Sequence, residues 1–168
     1  MNNVEVKFEG MHTYAFLDGY WFYLDNYPNL GWGYTTRNSI LAEKYGFKKE
    51  FYDFEYFLPI KDIAHTRGFY SYVGCKYKGY KCFVHSYGKN EKKFCVAIPE
   101  DLALTMGIDG YRWGHETPSM DVPLSDLDEI FRSRKKLGDF IFDVDPIKPI
   151  YKDGKWLIEP DENGVYVI

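Results

Sequence analysis

The chain has 168 residues, enough for one domain that buries a core without help from disulfides or metals. Aromatic residues make up 20% of it, a composition that favours strands and argues against both helical bundles and disorder. The formal net charge of −4 is unlike that of a nucleic-acid-binding protein, which needs a basic face. We expect a single globular domain over residues 1–168.

The first ten residues, "MNNVEVKFEG", lack the basic start and apolar stretch of a secretory signal. No apolar run reaches the length of about 18 residues that a membrane-spanning helix needs. The chain has three cysteines, an odd number that cannot all pair within it, which favours a reducing compartment. We therefore expect a cytoplasmic protein that does not contact a membrane.

Strand and turn signals dominate the first half of the chain. The segments "HTYAFL" and "YWFYLD" flank Asp18-Gly19, a dipeptide suited to a two-residue hairpin turn. Asn38 or Ser39 can cap a short helix over about 38–46, which Gly46 would end. After an aromatic run, the segments "GFYSYVGCKY", "YKCFVHSY" and "KFCVAI" predict an antiparallel meander.

The near-palindrome "CKYKGYKC" is the feature most suggestive of metal or redox chemistry. A turn at Lys78-Gly79 places Cys75 opposite Cys82, and a further turn at residues 89–90 brings a third thiol to their face. His85 falls on the opposite face, so a fourth zinc ligand is missing. We expect three buried thiols, with metal binding and redox chemistry as alternatives. The predicted shared face comprises Val73, Cys75, Cys82, Val84, Cys95 and Ala97.

The outer face and the tips of this meander carry lysines among aromatic side chains. Such a surface could bind single-stranded nucleic acid through backbone contacts and base stacking. Alternatively, the lysines solvate a projecting hairpin and discourage edge-to-edge pairing, which is the interpretation we prefer. We therefore expect no direct contact with nucleic acid. The outer-face residues are Lys76, Lys81, Phe83, His85, Tyr87, Phe94, Val96 and Ile98, and the tips add Lys78, Lys89, Lys92 and Lys93.

Charge is distributed unevenly between the two parts of the chain. Residues 1–98 carry 13 basic and 10 acidic residues, which leaves 8 and 15 of the totals of 21 and 25 for residues 99–168, so the parts have charges of +3 and −7. Within the acidic part, the glycine-punctuated segment "GIDGYRWGHET" contains Tyr111, Arg112 and Trp113, residue types enriched at binding hot spots. It predicts a recognition loop, unless Tyr111 and Trp113 turn inward and close the end of the sheet.

The segment "PLSDLDEIFRSRKKLG" carries the strongest helix signals. Ser125 and Asp128 resemble a capping box, bases fill the last turn, and Gly138 follows it. Two later dipeptides, Asp153-Gly154 and Asn163-Gly164, indicate turns between further strands. The expected fold class is α+β, with one antiparallel meander sheet or half-barrel and two helices at about 38–46 and 125–137.

No catalytic constellation is visible in the sequence. The histidines are scattered, without the spacing of a metalloprotease helix, and no nucleophile motif accompanies them. His115-Glu116 is the best single pair, but adjacent side chains usually diverge. We predict a protein that is not an enzyme, with no catalytic residues, no cofactor and no metal. The histidines are His12, His65, His85 and His115.

The segment "VPLSDLDEIFRSRKKLG", together with the compact aromatic α+β organisation, resembles bacterial immunity proteins, which neutralise polymorphic or contact-dependent inhibition toxins. The resemblance is one of type and covers the chain loosely. It implies tight binding to one cognate toxin protein, and a nuclease toxin would make an acidic face useful. The implied partner-binding residues are Asp109, Tyr111, Arg112, Trp113, Glu116, Asp121, Asp126, Asp128 and Glu129.

Other functions fit the same residues. A phage-encoded inhibitor of a host defence nuclease would share the acidic surface. A small-molecule-binding half-barrel or an unrecognised enzyme would instead line a pocket with aromatic residues such as Trp21, Trp32 and Tyr34. The sequence does not specify the oligomeric state, or whether the basic hairpin tips between Lys76 and Lys93 take part in binding.

Overall fold

The computed structural model describes residues 11–88, 90–108 and 117–160, and these contain twelve strands and two α-helices. The helices are α1 (Ser39–Tyr45) and α2 (Glu100–Thr105). The strands are β1 (Met11–Leu17), β2 (Tyr20–Tyr27), β3 (Gly31–Thr36), β4 (Lys48–Tyr52), β5 (Glu55–Pro59), β6 (Gly68–Tyr77), β7 (Tyr80–Gly88), β8 (Lys93–Ala97), β9 (Ser119–Pro123), β10 (Leu127–Lys136), β11 (Ile147–Lys152) and β12 (Lys155–Trp156). An α+β fold dominated by antiparallel sheet is thereby confirmed. No helix in these ranges is long and apolar enough to cross a membrane.

Strand β6 organises the sheet. One of its edges pairs with β10 along nearly the whole strand. Its other edge is shared, because residues 68–72 pair with β1 and residues 74–77 pair with β7. The sheet therefore branches at Val73. One branch continues from β1 through β2, β3 and β5 to β4, the other runs through β7 and β8 to β9, and β11 and β12 extend the sheet beyond β10.

Two large apolar clusters occupy the two branches. The first lies between the β7–β8 branch, α2, β10 and β11, where Val96 and Ile130 are fully buried. Trp156 of β12 reaches across this cluster, with ring centroids 6.3 Å from Tyr87 and 6.5 Å from Phe94. The second cluster packs β1, β2 and β3 against α1, around Phe22. A smaller aromatic cluster covers the opposite face of β1 and β2.

Local signals predicted the first hairpin and α1 correctly. Leu17 pairs with Tyr20 around Asp18-Gly19, and both turn residues have positive φ. The side chain of Asn38 accepts hydrogen bonds from the backbone N–H groups of the first turn of α1, and Gly46 ends the helix in the left-handed conformation with φ of 75°.

The predicted helix over 125–137 is wrong. A single 3₁₀ turn at Leu124–Asp126 leads into β10, which pairs with β6 on one edge and β11 on the other. Helix capping and the helix dipole contribute little free energy compared with hydrogen-bonded pairing to a neighbouring strand on each edge. Because both faces of β10 are largely buried, its sequence also lacks the alternation of apolar and polar residues that would have indicated a strand. The second helix is instead α2, which the sequence did not indicate.

The predicted strand pairing is correct for Cys75 and Cys82 and wrong for Cys95. Cys75 faces Cys82 as predicted, and both are buried. In β7, however, a bulge between Val84 and Ser86 shifts the pairing by one residue, so that Val84 faces Val96 rather than Cys95. A shift of one residue in the pairing of β7 with β8 exchanges the two faces of β8 and of the end of β7. The face towards the core therefore carries larger apolar side chains than predicted. These side chains, predicted to face outward, are Tyr87, Phe94, Val96 and Ile98.

Candidate functional site

Four of the nine predicted partner-binding residues lie in the described ranges, on a short segment from β9 to the start of β10. We call Asp121, Asp126, Asp128 and Glu129 the acidic ribbon. The other five residues, Asp109, Tyr111, Arg112, Trp113 and Glu116, lie outside the residues that the structure describes.

The acidic ribbon is fixed to the core by apolar side chains between its acids. Val122 and Leu127 are 1% and 5% exposed and belong to the cluster around β8 and α2. The aspartates beside them, Asp121, Asp126 and Asp128, are exposed. Strand β9 pairs with β8 and, within the described ranges, with no other strand. The three carboxylates are thus presented on a backbone that the core holds in place.

Lysines lie beside the acidic ribbon and partly offset its charge. Glu129 faces Lys76 in the β10–β6 ladder, and their side chains form an ion pair of 3.4 Å. Lys93 faces Pro123 of β9, and the backbone N–H of Leu124 donates to the carbonyl of the residue preceding Lys93. The net negative charge around the acidic ribbon is therefore smaller in the fold than its sequence alone suggests.

The three aspartates are nevertheless not neutralised by a basic side chain within the described residues. No ion pair within 4.0 Å joins Asp121, Asp126 or Asp128 to another described residue. Exposed carboxylates of this kind can pair with basic groups of a partner. The acidic ribbon consequently offers three exposed carboxylates that form no ion pair with another described residue, on a segment anchored in the core.

A second polar cluster, which the sequence interpretation missed, lies on the other half of β10. Arg132 and Arg134 are 1% and 6% exposed, although the sequence placed both in the last turn of the predicted helix over 125–137. Arg132 donates from Nη1 to Ser71 Oγ at 3.0 Å, and Arg134 donates from Nη1 to the carbonyl of Asp145 at 3.3 Å. Lys148 of β11 faces Arg132 across the ladder. We call Arg132, Arg134 and Lys148 the cationic cluster.

Burial governs the electrostatics of the cationic cluster. Removal from water lowers the pKa of Arg132 and of Arg134 from the ordinary arginine value, and it lowers the pKa of Lys148, which the charge of Arg134 lowers further. The neighbouring carboxylate of Asp145 acts in the opposite direction on Arg134 and Lys148. Arginine keeps its proton at neutral pH even when it is buried, so the two guanidinium groups place positive charge on this face of the sheet.

The one signal that could have revealed the cationic cluster is its spacing. Arg132 and Arg134 are two residues apart, which places them on one face of a strand but on different faces of a helix. The helix interpretation therefore separated them.

The aromatic residues proposed to line a small-molecule pocket do not share one site. Trp21 belongs to the aromatic cluster on one face of β1 and β2, with Phe69 at 5.0 Å between ring centroids. Trp32 and Tyr34 pack in the cluster beneath α1, on the other face. The suggestion that all three residues line one pocket is therefore wrong.

The cysteines and histidines of the described ranges form no shared site. No group of three or more His, Cys, Asp or Glu residues there is arranged to hold a metal ion. A hydrogen bond to Cys82, together with burial, raises the pKa of the Cys75 thiol. Cys95 lies apart from this pair and is half-buried. His65 contacts Asp62 at 2.8 Å on the surface, and His85 packs against Phe83.

Comparisons with known proteins add no relatives to these observations. A scan against protein-family models, a search of curated proteins and a search of solved structures each found no match to the chain.

Proposed function

We propose that the protein is a non-catalytic inhibitor of the immunity type, which binds and neutralises a cognate bacterial toxin domain through the acidic ribbon. The observation that carries the proposal is the set of three exposed aspartates, none of them ion-paired with another described residue, on a segment fixed by Val122 and Leu127. A rigid surface loses little conformational entropy on binding, and charge complementarity accelerates association. A nuclease toxin, whose cleft is basic to hold phosphates, would suit such a surface.

Each part of the acidic ribbon has a role in the proposal. The aspartates steer the partner and pair with its basic groups, with their strongest effect on the association rate at low ionic strength. Glu129 and Lys76 hold each other and fix the start of β10. Tyr111 and Trp113, which precede β9 in the sequence, serve as the aromatic anchors that fill pockets of the partner.

The proposal is tested in two steps. First, the full chain is used to capture its partner from the native organism, and the partner is identified; a toxin domain is the expected result. A host defence nuclease would favour a phage-encoded inhibitor that uses the same surface. Recovery of the chain without a protein partner would overturn both.

The second step tests the acidic ribbon itself. The triple variant Asp121→Lys, Asp126→Lys, Asp128→Lys should weaken binding by at least about tenfold and flatten its salt dependence, because the steering charges are reversed. The control, Glu43→Lys, Glu50→Lys, Asp53→Lys, makes the same change of charge at exposed acids around α1 and β4. Equal loss of affinity in both variants, or no loss in either, would contradict a role for the acidic ribbon.

A further inference from the structure

One face of the four strands β7, β6, β10 and β11 carries aromatic side chains next to one another. Tyr70 and Tyr72 alternate along β6, and Phe83 of β7 faces Gly74 on the same side of the sheet. The ring centroids of Tyr72 and Phe83 lie 6.1 Å apart, and that of His85 lies 4.9 Å from Phe83. Tyr70, Tyr72 and Phe83 are half-buried and His85 is exposed, so a ligand can reach these side chains.

Lysines lie on both sides of the aromatic side chains. One row of ladder partners crosses the four strands, and it consists of Lys152, Glu129, Lys76 and Lys81. Glu129 forms its ion pair with Lys76 and so offsets one of the three lysines. On the other side of the rings, Lys135 faces Tyr70, and its Nζ lies 5.3 Å from the centroid of Tyr72. The face is therefore basic, although the chain has a formal net charge of −4.

Three of these lysines are open to an incoming anion. Lys81, Lys135 and Lys152 are exposed, and none of them forms an ion pair within 4.0 Å with another described residue. Lys76 and Lys81 also lie directly opposite each other, and like charges in such a cross-strand pair are destabilising. An anionic ligand would offset this repulsion.

The fold places more residues on this face than the sequence indicated. The sequence interpretation preferred a solvating role for the lysines of the hairpin, without contact with nucleic acid. The pairing of β6 with β10, and of β10 with β11, brings Lys135 and Lys152 to the face that carries Tyr72 and Phe83. Solvation of a projecting hairpin does not account for half-buried rings between two groups of lysines, and for this reason we depart from the earlier expectation.

We propose that this lysine–aromatic face binds a single strand of nucleic acid without sequence preference. A single strand presents unpaired bases together with phosphates, so bases can stack on the rings while lysines contact the backbone. Open sheet faces of four strands in other proteins stack two or three bases in this way. The proposal does not use the aspartates of the acidic ribbon and does not depend on a toxin partner. The lysine–aromatic face comprises Tyr72, Phe83, His85, Lys81, Lys135 and Lys152.

The test measures binding of the full chain to a short fluorescein-labelled oligothymidylate by fluorescence anisotropy, at several concentrations of sodium chloride. We expect saturable binding whose logarithmic affinity falls with the logarithm of the salt concentration with a slope of about −2, the value for three phosphate contacts to a single strand. Unlabelled oligothymidylate should displace the probe. Polyglutamate, which has the charge of an acidic protein partner but no bases, should displace it poorly.

The variant Tyr72→Leu, Phe83→Leu keeps apolar side chains but removes two stacking rings, so its affinity should fall by at least about fivefold. The matched control is Tyr52→Leu, Phe54→Leu, which removes one tyrosine and one phenylalanine that are 52% and 56% exposed beside β4 and β5. The control should bind the probe as the original chain does.

Three results would overturn the proposal: binding that does not saturate, equal affinity in the two double variants, or displacement by polyglutamate as effective as that by oligothymidylate. If Tyr72→Leu, Phe83→Leu does not fold, a second variant decides, namely Lys81→Gln, Lys135→Gln, Lys152→Gln, which changes exposed side chains alone. It should bring the salt slope close to zero, and an unchanged slope would exclude the face as the binding site.

Discussion

At the scale of single residues, the branch of the sheet depends on a position without a side chain. Gly74 lies immediately after Val73, where the edge of β6 passes from β1 to β7. A Cβ atom at this position would lie 2.6 Å from Cζ of Phe131, which no real Cβ contact tolerates. Because Phe131 is buried between β6 and β11, its ring cannot swing away without repacking. Gly74 is therefore required by close packing rather than by its backbone angles.

Gly74→Ala should lower the free energy of unfolding by about 1–3 kcal/mol, because the added methyl group overlaps the Phe131 ring. Urea denaturation followed by tryptophan fluorescence measures the change. The matched control is Gly88→Ala at the end of β7, where the nearest atom to a new Cβ is 3.9 Å away. That variant should be neutral or slightly stabilised. Equal effects of the two substitutions would show that Phe131 does not restrict position 74.

At the scale of elements, α1 and β10 show why some of the fold was predictable and some was not. The determinants of α1 are local, since its first and last turns are capped by Asn38 and Gly46 within the same short segment. The determinants of β10 lie in β6 and β11, which are distant in sequence. The bulge in β7 that moves Cys95 to the other face likewise depends on which side chains fill the core. Local patterns carry no information about such long-range pairing.

The same division applies to the candidate sites. The acids Asp121, Asp126 and Asp128 were identified from charge alone, since ionised side chains without partners stay on the surface whatever the backbone does. Arg134 was misplaced because its burial depends on the strand assignment of β10 and on the segment that returns to β11. A surface charge can be predicted from the sequence, whereas a buried charge needs the tertiary structure.

Asn38→Ala should lower the free energy of unfolding by about 1 kcal/mol, because its Oδ1 accepts hydrogen bonds from the backbone N–H groups of Ile40 at 3.0 Å and Leu41 at 3.1 Å. Asn38→Asp retains an acceptor at the same position and should preserve stability. Urea denaturation of both variants measures the difference. A loss of the same size in Asn38→Asp would mean that the cap contributes nothing and that another contact of position 38 does.

At the scale of the whole molecule, two apolar clusters are connected through one pair of strands. The cluster around Val96 and the cluster around Phe22 have no buried residue in common. Strand β6 pairs with β1 of one branch and with β7 of the other, and β10 pairs with the opposite edge of β6. Since hydrogen-bond ladders and close-packed side chains lose their contacts together, damage at the β6–β10 ladder should reach both branches.

Ile130→Ala tests this coupling, because Ile130 is fully buried on β10 and faces Cys75 of β6. The lost packing should cost about 2–5 kcal/mol. Amide hydrogen exchange should then quicken in β1 and β2 as well as in β7 and β8, since all four strands open with the β6–β10 ladder. Ile147→Ala, at a side chain of β11 that is 55% exposed, is the control and should leave exchange unchanged. Faster exchange confined to β7 and β8 would instead show that the two branches unfold independently.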